Sequence, residues 1–514
     1  MALGLRRIVI NMASGTGARI FALFVSFLTT PILINHLGLE TFGLWTIINT
    51  LPAYAGLLDF GIGPGLVRHF TEYSESGDKV SVRHIMTLSI SFYLALGLVL
   101  MPLVYWLAPD IVRLFTISEY LRQSAETSLL IVFSYFVVSC LVGVFSSRLV
   151  SMHRMDISSA IGLVSQIIYA VMVIIIIPRS PTIMTAVWLT GVQLLVFGVL
   201  TYAAVWQIDR QMYSNPFAIP RLLTRKLLVF GGWMQLNSVA SLVSLEADKI
   251  IIGGFVGMAA VTPYQIGNRL ASLNRMIPLQ LLSVLMPMAT IIQVGRSREG
   301  PAEFYTQMSR YLMLLTMLIT GFTATVADRL IVIWIGRPYP TANLIVVALA
   351  VSYAINNLTG GGTTMVRAAG QPRYETYYAM LGMVLNVGLT VALAPLFGLA
   401  GIIAGTILAN VIGSAYFLIL FHRRFAIPWF KTMGSWLWRL LLATFVACLS
   451  LWIAQSMQPH GGRLIGLALL ALNGLIYVAV FAAMLTVLHF WTDQDTAVFR
   501  RVLIRVVPSK IRTR

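Results

Sequence analysis

The chain has 514 residues, of which 58% are hydrophobic and only 11% charged, and its mean hydropathy is +0.84. A soluble domain carries about 25% charged residues, so a soluble enzyme, a disordered chain and a nucleic-acid-binding domain are excluded at the outset. The net charge of +18, from 36 Lys+Arg against 18 Asp+Glu, reads as membrane topology, because cytoplasmic loops collect basic residues; no nucleic-acid partner is expected.

Crossing a bilayer core of about 30 Å takes roughly 20 apolar residues. Fourteen such runs lie near 12–35, 42–66, 84–108, 124–147, 157–178, 181–205, 227–252, 260–291, 308–328, 341–362, 374–395, 398–421, 435–455 and 463–489. They are too long, and alternate too little, to be strands of a membrane barrel. The first run follows Arg6 and Arg7 and lacks a small-residue cleavage site, so it reads as a span and not a signal peptide. With the N-terminus in the cytoplasm, 25 of the 36 basic residues fall on the cytoplasmic side, 6 on the opposite side and 5 within spans. That bias supports an even number of spans with both termini cytoplasmic.

The expected fold is therefore an all-α polytopic membrane protein of about 14 helices. Residues 1–205 form an N-terminal six-helix lobe, 206–226 a cytoplasmic amphipathic linker containing Pro216 and Pro220, and 227–421 a C-terminal six-helix lobe. Two additional spans occupy 422–491. Residues 492–514 form a basic tail whose Phe499, Val502, Leu503 and Val506 share one helical face, suited to an anionic inner leaflet. The lobes look duplicated. Leu37-Gly38 before span two matches Val256-Gly257 before span eight, an offset of 219, and Arg154 after span four matches Gln371 after span ten, an offset of 217.

No nucleotide-binding or hydrolase motif stands on a plausible loop, so a transporter without a catalytic motif is expected, not an enzyme. Cys140 and Cys448 lie in separate apolar runs with no metal-ligand spacing, and neither a metal nor a cofactor is expected. The informative signal is intramembrane charge, which costs roughly 2.5–3.5 kcal/mol at mid-bilayer and therefore marks function. Arg19, Asp59, Glu246, Asp248, Lys249, Arg269 and Arg275 fall in or near spans one, two, seven and eight. At 100° per residue, four polar stripes emerge. Arg19, Ser26 and Thr30 line up in span one, and Trp45, Asn49, Pro52, Gly56, Asp59 and Gly63 in span two. Trp233, Asn237, Ser241, Ser244 and Asp248 do so in span seven, and Tyr264, Asn268 and Arg275 in span eight. Helix packing by small and hydrogen-bonding residues is the competing explanation. Lys249 can pair with Glu246 at i,i+3. Asp59, Asp248 and Glu246 are the candidates for coupling to a proton or sodium gradient. In span ten, Gly360-Gly361-Gly362 after Asn356 and Asn357 marks a bend or a helix end.

Several segments carry a resemblance. Asn11, Ser14 to Arg19, Pro31-Ile-Leu-Ile-Asn-His-Leu-Gly38, Phe42-Gly-Leu-Trp45 and Leu58-Asp-Phe-Gly-Ile-Gly63 resemble the polysaccharide flippases of the multidrug/oligosaccharidyl-lipid/polysaccharide (MOP) exporter superfamily. The likeness extends more loosely to Gly257–Arg275 and Gly370-Gln371-Pro372. It implies a MATE-like fold with two facing six-helix lobes, alternating access in the bacterial cytoplasmic (inner) membrane, and an undecaprenyl-diphosphate-linked oligosaccharide as cargo. Membrane lipids, a polymerase and export proteins are the implied partners. A diphosphate headgroup needs cations, and Arg19, Arg275 and Arg269 are the candidates. Trp45, Trp233 and Tyr264 could stack on sugars, with Asn49, Asn237 and Asn268 beside them. The two additional spans are similar to those of lipid II flippases, which makes a lipid II flippase one alternative. A cation-coupled multidrug antiporter of the same superfamily is another, and a membrane glycosyltransferase is disfavoured because every outer loop is short.

Overall fold

The computed structural model describes residues 5–59, 62–210, 239–240, 242–293, 300–458, 462–492 and 495; among these, the side chains of 5–13, 16, 19, 58, 64, 283, 284 and 431 are not described. The described residues are helical throughout, with no strand among them. In chain order the helices are α1 (Leu5–Leu37), α2 (Leu39–Ala55), α3 (Ile62–Glu75), α4 (Lys79–Arg113), α5 (Glu119–Ser151), α6 (Met155–Ile176), α7 (Ile183–Ile208), α8 (242–255), α9 (Met258–Gln293), α10 (Pro301–Ile335), α11 (Pro340–Asn357), α12 (Gly360–Ala368), α13 (Arg373–Arg424), α14 (Ser435–Ser456) and α15 (Arg463–Val487). Most of the 206–226 linker, and the tail beyond 492 save Asp495, lie outside the described residues.

Ten helical segments are long and apolar enough to cross a membrane, and eleven when the bent α9 is included. The protein is thus a multi-pass membrane protein. Three helical details make this count roughly consistent with the expected fourteen. First, α13 has 52 residues and breaks at Gly398, whose φ of 56° and ψ of −134° are not helical. Asn386 donates to Thr406, and a methyl on Gly405 would lie 2.8 Å from the Thr390 amide nitrogen. The two arms therefore run antiparallel, and α13 is the eleventh and twelfth spans joined by a tight turn. Second, span two is broken: α2 ends at Ala55, a 3-10 turn covers Gly56–Asp59, and α3 begins at Ile62. Pro52 removes a helical donor just before this break. Third, α8 occupies the end of span seven.

Two compact units emerge. One comprises residues 1–265 with 383–406, the other 266–382 with 407–514. In the first, Glu40 accepts hydrogen bonds from the Ser118 amide at 2.7 Å and hydroxyl at 2.8 Å, tying α2 to α5. At the opposite helix ends, the Arg148 guanidinium bonds Asp209 at 2.9 Å and Ser74 at 2.7 Å. Leu66, Phe70, Ile85, Tyr93 and Val144 fill the space between α3, α4 and α5.

In the second unit, α14 and α15 dock on α10 through Gly321. A methyl there would overlap the Tyr477 hydroxyl and lie 2.7 Å from a Thr444 methyl. Tyr477 donates to the Met317 carbonyl at 3.2 Å. Small residues at such contacts let membrane helices approach closely. The three glycines of span ten act the same way. The helix breaks before them, at Leu358 and Thr359, and Gly360, Gly361 and Gly362 are buried within α12. Methyls on them would overlap Leu282 and Leu312, Ser309, and Phe417, respectively.

The duplication is visible in the backbone. Gly38 and Gly257, 219 residues apart, both have positive φ, at 80° and 113°. His153 and Gly370, 217 apart, both turn left-handed at the ends of α5 and α12. The next amide in each case, Arg154 or Gln371, reaches back to the Leu149 or Val366 carbonyl at 3.0 Å.

Candidate functional site

Asp248 is 2% exposed. Burying a carboxylate in a membrane protein is costly unless hydrogen bonds compensate. Two helices of the first unit supply them. Tyr264 of α9 donates to Asp248 Oδ2 at 2.7 Å, and Thr406 of α13 donates to the same oxygen at 2.8 Å. Asn386 donates in turn to Thr406 Oγ1 at 3.2 Å. Among the described residues, Asp248 Oδ1, Asn386 Oδ1 and Thr390 Oγ1 are buried without a hydrogen-bond partner. The cluster thus offers unpaired hard oxygen atoms, the donor type that suits a small alkali cation or a proton. On either side of Asp248 in the same helix, Glu246 and Lys249 form an i,i+3 ion pair at 2.5 Å, and Glu246 accepts from Thr50 at 3.4 Å. Lys249 is therefore neutralised by Glu246, and Asp248 keeps its own hydroxyl partners.

Asp59 sits on the turn that interrupts span two. Its Oδ1 accepts the Tyr93 hydroxyl at 2.6 Å, and its Oδ2 accepts the Gly63 amide at 3.0 Å. A methyl on Gly63 would crowd that second oxygen at 3.0 Å, so glycine lets the carboxylate close onto the first turn of α3. This is an anion at a helix N-terminus, where free amides favour it.

The basic candidates differ from one another. Arg275 of α9 is half-buried and, among the described residues, has no hydrogen-bond or ion-pair partner. Its neighbour Asn274 is fixed by Asn357, whose amide donates to the Asn274 carbonyl at 3.0 Å and to the Thr316 hydroxyl at 3.2 Å. Asn357 ends α11, so the break in span ten is pinned beside Arg275. Arg269 is half-buried and already engaged. The Arg19 side chain, Trp233 and Asn237 lie outside the described residues.

Of the remaining candidates, Tyr264 is 2% exposed and positions Asp248 through its hydroxyl. Asn268 accepts from Tyr353 at 2.8 Å. Asn49 donates to the Trp45 carbonyl at 2.7 Å and lines a cleft between helices. Trp45 is half-buried, 5.5 Å from the Phe42 ring, and its indole nitrogen has no partner among the described residues.

Sequence reasoning placed Asp248 and Tyr264 on separate stripes, and the fold joins them. It passed over Tyr93, Asn386 and Thr406, because charge was the guide and the apolar cores of their spans carry none. A polar side chain facing an acidic stripe across a lobe is the signal that would have found them.

This architecture is that of a polytopic helical membrane protein. Over 95% of this chain and 99% of the other, it resembles the lipid II flippase MurJ in an inward closed conformation, with a TM-score of 0.69 at 15% identity. It also resembles an inward-facing multidrug resistance MATE transporter of the MOP superfamily, with a TM-score of 0.67 at 14% identity over 79% and 94% of the two chains. The family described as polysaccharide biosynthesis protein matches residues 8–293, more than half of the chain, and the chain belongs to that family. The uncharacterized membrane protein EpsK of Bacillus subtilis is 21% identical over 65% of this chain and 66% of its own length, just under two thirds. A Yersinia pseudotuberculosis protein named for O-antigen export is 22% identical over 63% and 72%.

Proposed function

We propose that the protein is a flippase that carries an undecaprenyl-diphosphate-linked oligosaccharide from the inner to the outer leaflet of the bacterial cytoplasmic membrane by alternating access, for cell-surface or exopolysaccharide synthesis. Membership of the polysaccharide biosynthesis family carries this reading, and the relative named for O-antigen export agrees with it. Arg275 supports it chemically. A half-buried guanidinium without a carboxylate partner among the described residues is a standing complement for phosphate, which stays anionic at any cellular pH. Arg19 and Arg269 are further headgroup candidates. Membrane lipids surround the protein, and a polymerase and export proteins act downstream of it.

Asp248, with Tyr264, Thr406 and Asn386, holds the coupling proton or sodium ion, and Asp59 is a second candidate. Both termini are cytoplasmic. The same two carboxylates, neither paired with a basic side chain among the described residues, favour the multidrug antiporter as a second reading. The decisive experiment places the purified protein in liposomes loaded with lipid-linked oligosaccharide and follows access of a glycan-cleaving enzyme to each leaflet. Protein-dependent movement of the glycan lipid is expected. Its absence in active preparations that expel cationic drugs would establish the antiporter instead.

A further inference from the structure

We propose that a cleft inside the N-terminal helices is a binding site for a neutral sugar ring of the cargo. The cleft has a volume of about 390 Å³ and opens between α2, α5, α6 and α7, within the range of roughly 300–1,000 Å³ typical of small-ligand sites. Asn49, Gln166, Thr190 and Gln193 present amides and a hydroxyl to it, and Tyr135 and Phe197 present aromatic rings. Among the described residues, no charged side chain lines it. Among the described residues, neither Gln166 nor Gln193 has a hydrogen-bond partner, and the Tyr135 hydroxyl is buried without one. Amide and hydroxyl groups left unpaired at membrane depth need partners.

The chemistry of the occupant follows from these groups. A lipid tail would leave both glutamines unmet. A phosphate, a carboxylate or an ammonium would find no counter-charge. A neutral hexose or N-acetylhexosamine offers hydroxyls to the amides and apolar ring faces to Tyr135 and Phe197, the mix of aromatic walls and few polar groups that ligand sites use.

The duplicated half supports the assignment. Asn49 and Asn268 are 219 residues apart, and Tyr135 and Tyr353 are 218 apart, matching the repeat offset. In the second copy the tyrosine hydroxyl bonds the asparagine at 2.8 Å. In the first copy the same pair stays unbonded, and the space beside it is the cleft. Gly191 makes room for the displaced hydroxyl, since a methyl there would overlap Tyr135 Oη.

The inference rests on the flippase reading, and the test separates the two. Free N-acetylhexosamine and hexose are titrated into the full-length protein in nanodiscs by saturation-transfer NMR, with hexuronate and hexosamine as charged controls. Neutral sugars should bind and charged ones should not. Gln166→Leu with Gln193→Leu should weaken binding at least about tenfold, and Gly191→Ala, whose methyl would displace the Tyr135 ring and hydroxyl, should do so independently. Absent binding, equal binding of charged sugars, or indifference to both variants would overturn the assignment. If wild type and variants still flip the glycan lipid equally, the cleft is refuted and the flippase stands. Sugar binding without any flipping would refute the flippase and leave the cleft.

Discussion

Gly43 and Thr262, 219 residues apart and equivalent in the internal repeat, pack against each other. The Thr262 hydroxyl donates to the Leu39 carbonyl at 2.6 Å, and a methyl on Gly43 would lie 3.4 Å from that hydroxyl and overlap the Met258 carbonyl. Repeat-related positions therefore meet at a contact tight enough to demand glycine.

Gly43→Val should accordingly abolish export, because backbone and not a flexible side chain stands in the way. Thr262→Val removes this second bond to the Leu39 carbonyl and should cost about 0.5–1.5 kcal/mol, a loss that thermal unfolding in detergent would register. Full export by Gly43→Val at normal membrane levels would refute this contact as a constraint.

Arg275→Ala should reduce export and headgroup affinity. A charge-assisted hydrogen bond is worth about 1.5–3 kcal/mol, so diphosphate binding should weaken roughly ten- to a hundredfold. Arg275→Lys should retain part of the activity if charge alone matters, and little if the bidentate fork does. Binding of polyprenyl diphosphate to the purified variants is the direct measurement, and equal affinity in all three proteins would remove Arg275 from the headgroup site.

Asp495 fastens the start of the C-terminal tail to α10. Arg310 donates to it at 2.6 Å, Tyr311 hydrogen-bonds its other oxygen, and Thr492 donates through its amide and hydroxyl, each at 2.8 Å. Burial pushes this carboxyl up, but the bonds from Tyr311 and Thr492 and the Arg310 charge hold it below its ordinary value. A depressed carboxylate stabilises fully above its unfolded value of about 3.9 and loses that contribution as pH falls through the lower folded value. Tail docking should therefore be constant between pH 5 and 8 and weaken only in stronger acid. Asp495→Asn leaves Arg310 buried without its anion and should lower the melting temperature at neutral pH, with a loss of about 3–5 kcal/mol. Unchanged tail proteolysis in that variant would refute the anchor.

The sequence made the helices and the repeat legible, because apolar run length and turn spacing are local properties. Gly398 was legible as a span boundary, and the i,i+3 pair of Glu246 and Lys249 was legible as a pair. The breaks were harder to place. The glycines of span ten suggested a hinge, whereas Asn357 and the break at Leu358 lie just before them, and the glycines serve packing. Asn386 and Thr406 come together through a hairpin whose closure depends on one glycine. Their meeting with Asp248 is set by tertiary packing, which periodicity within a single helix does not encode.

The proposed coupling site gives the sharpest separation of roles. Asp248 and Asp59 both accept a tyrosine hydroxyl, at 2.7 and 2.6 Å. Asp59 completes its set with the Gly63 amide, so both of its oxygens are paired. Asp248 keeps Oδ1 unpaired near Asn386, whose amide oxygen is also unpaired among the described residues. A cation needs open oxygen ligands, so Asp248 is expected to bind it and Asp59 to hold the α2–α3 turn. Asp248→Asn preserves size but removes the charge, and should abolish the dependence of flipping on an imposed sodium or proton gradient. Thr406→Val removes one ligand and should weaken cation binding roughly tenfold, about 1.4 kcal/mol. Tyr93→Phe and Asp59→Asn should lower thermal stability while gradient dependence survives. Gradient-driven flipping by Asp248→Asn at the wild-type rate, or its loss only in Asp59→Asn, would reverse the assignment.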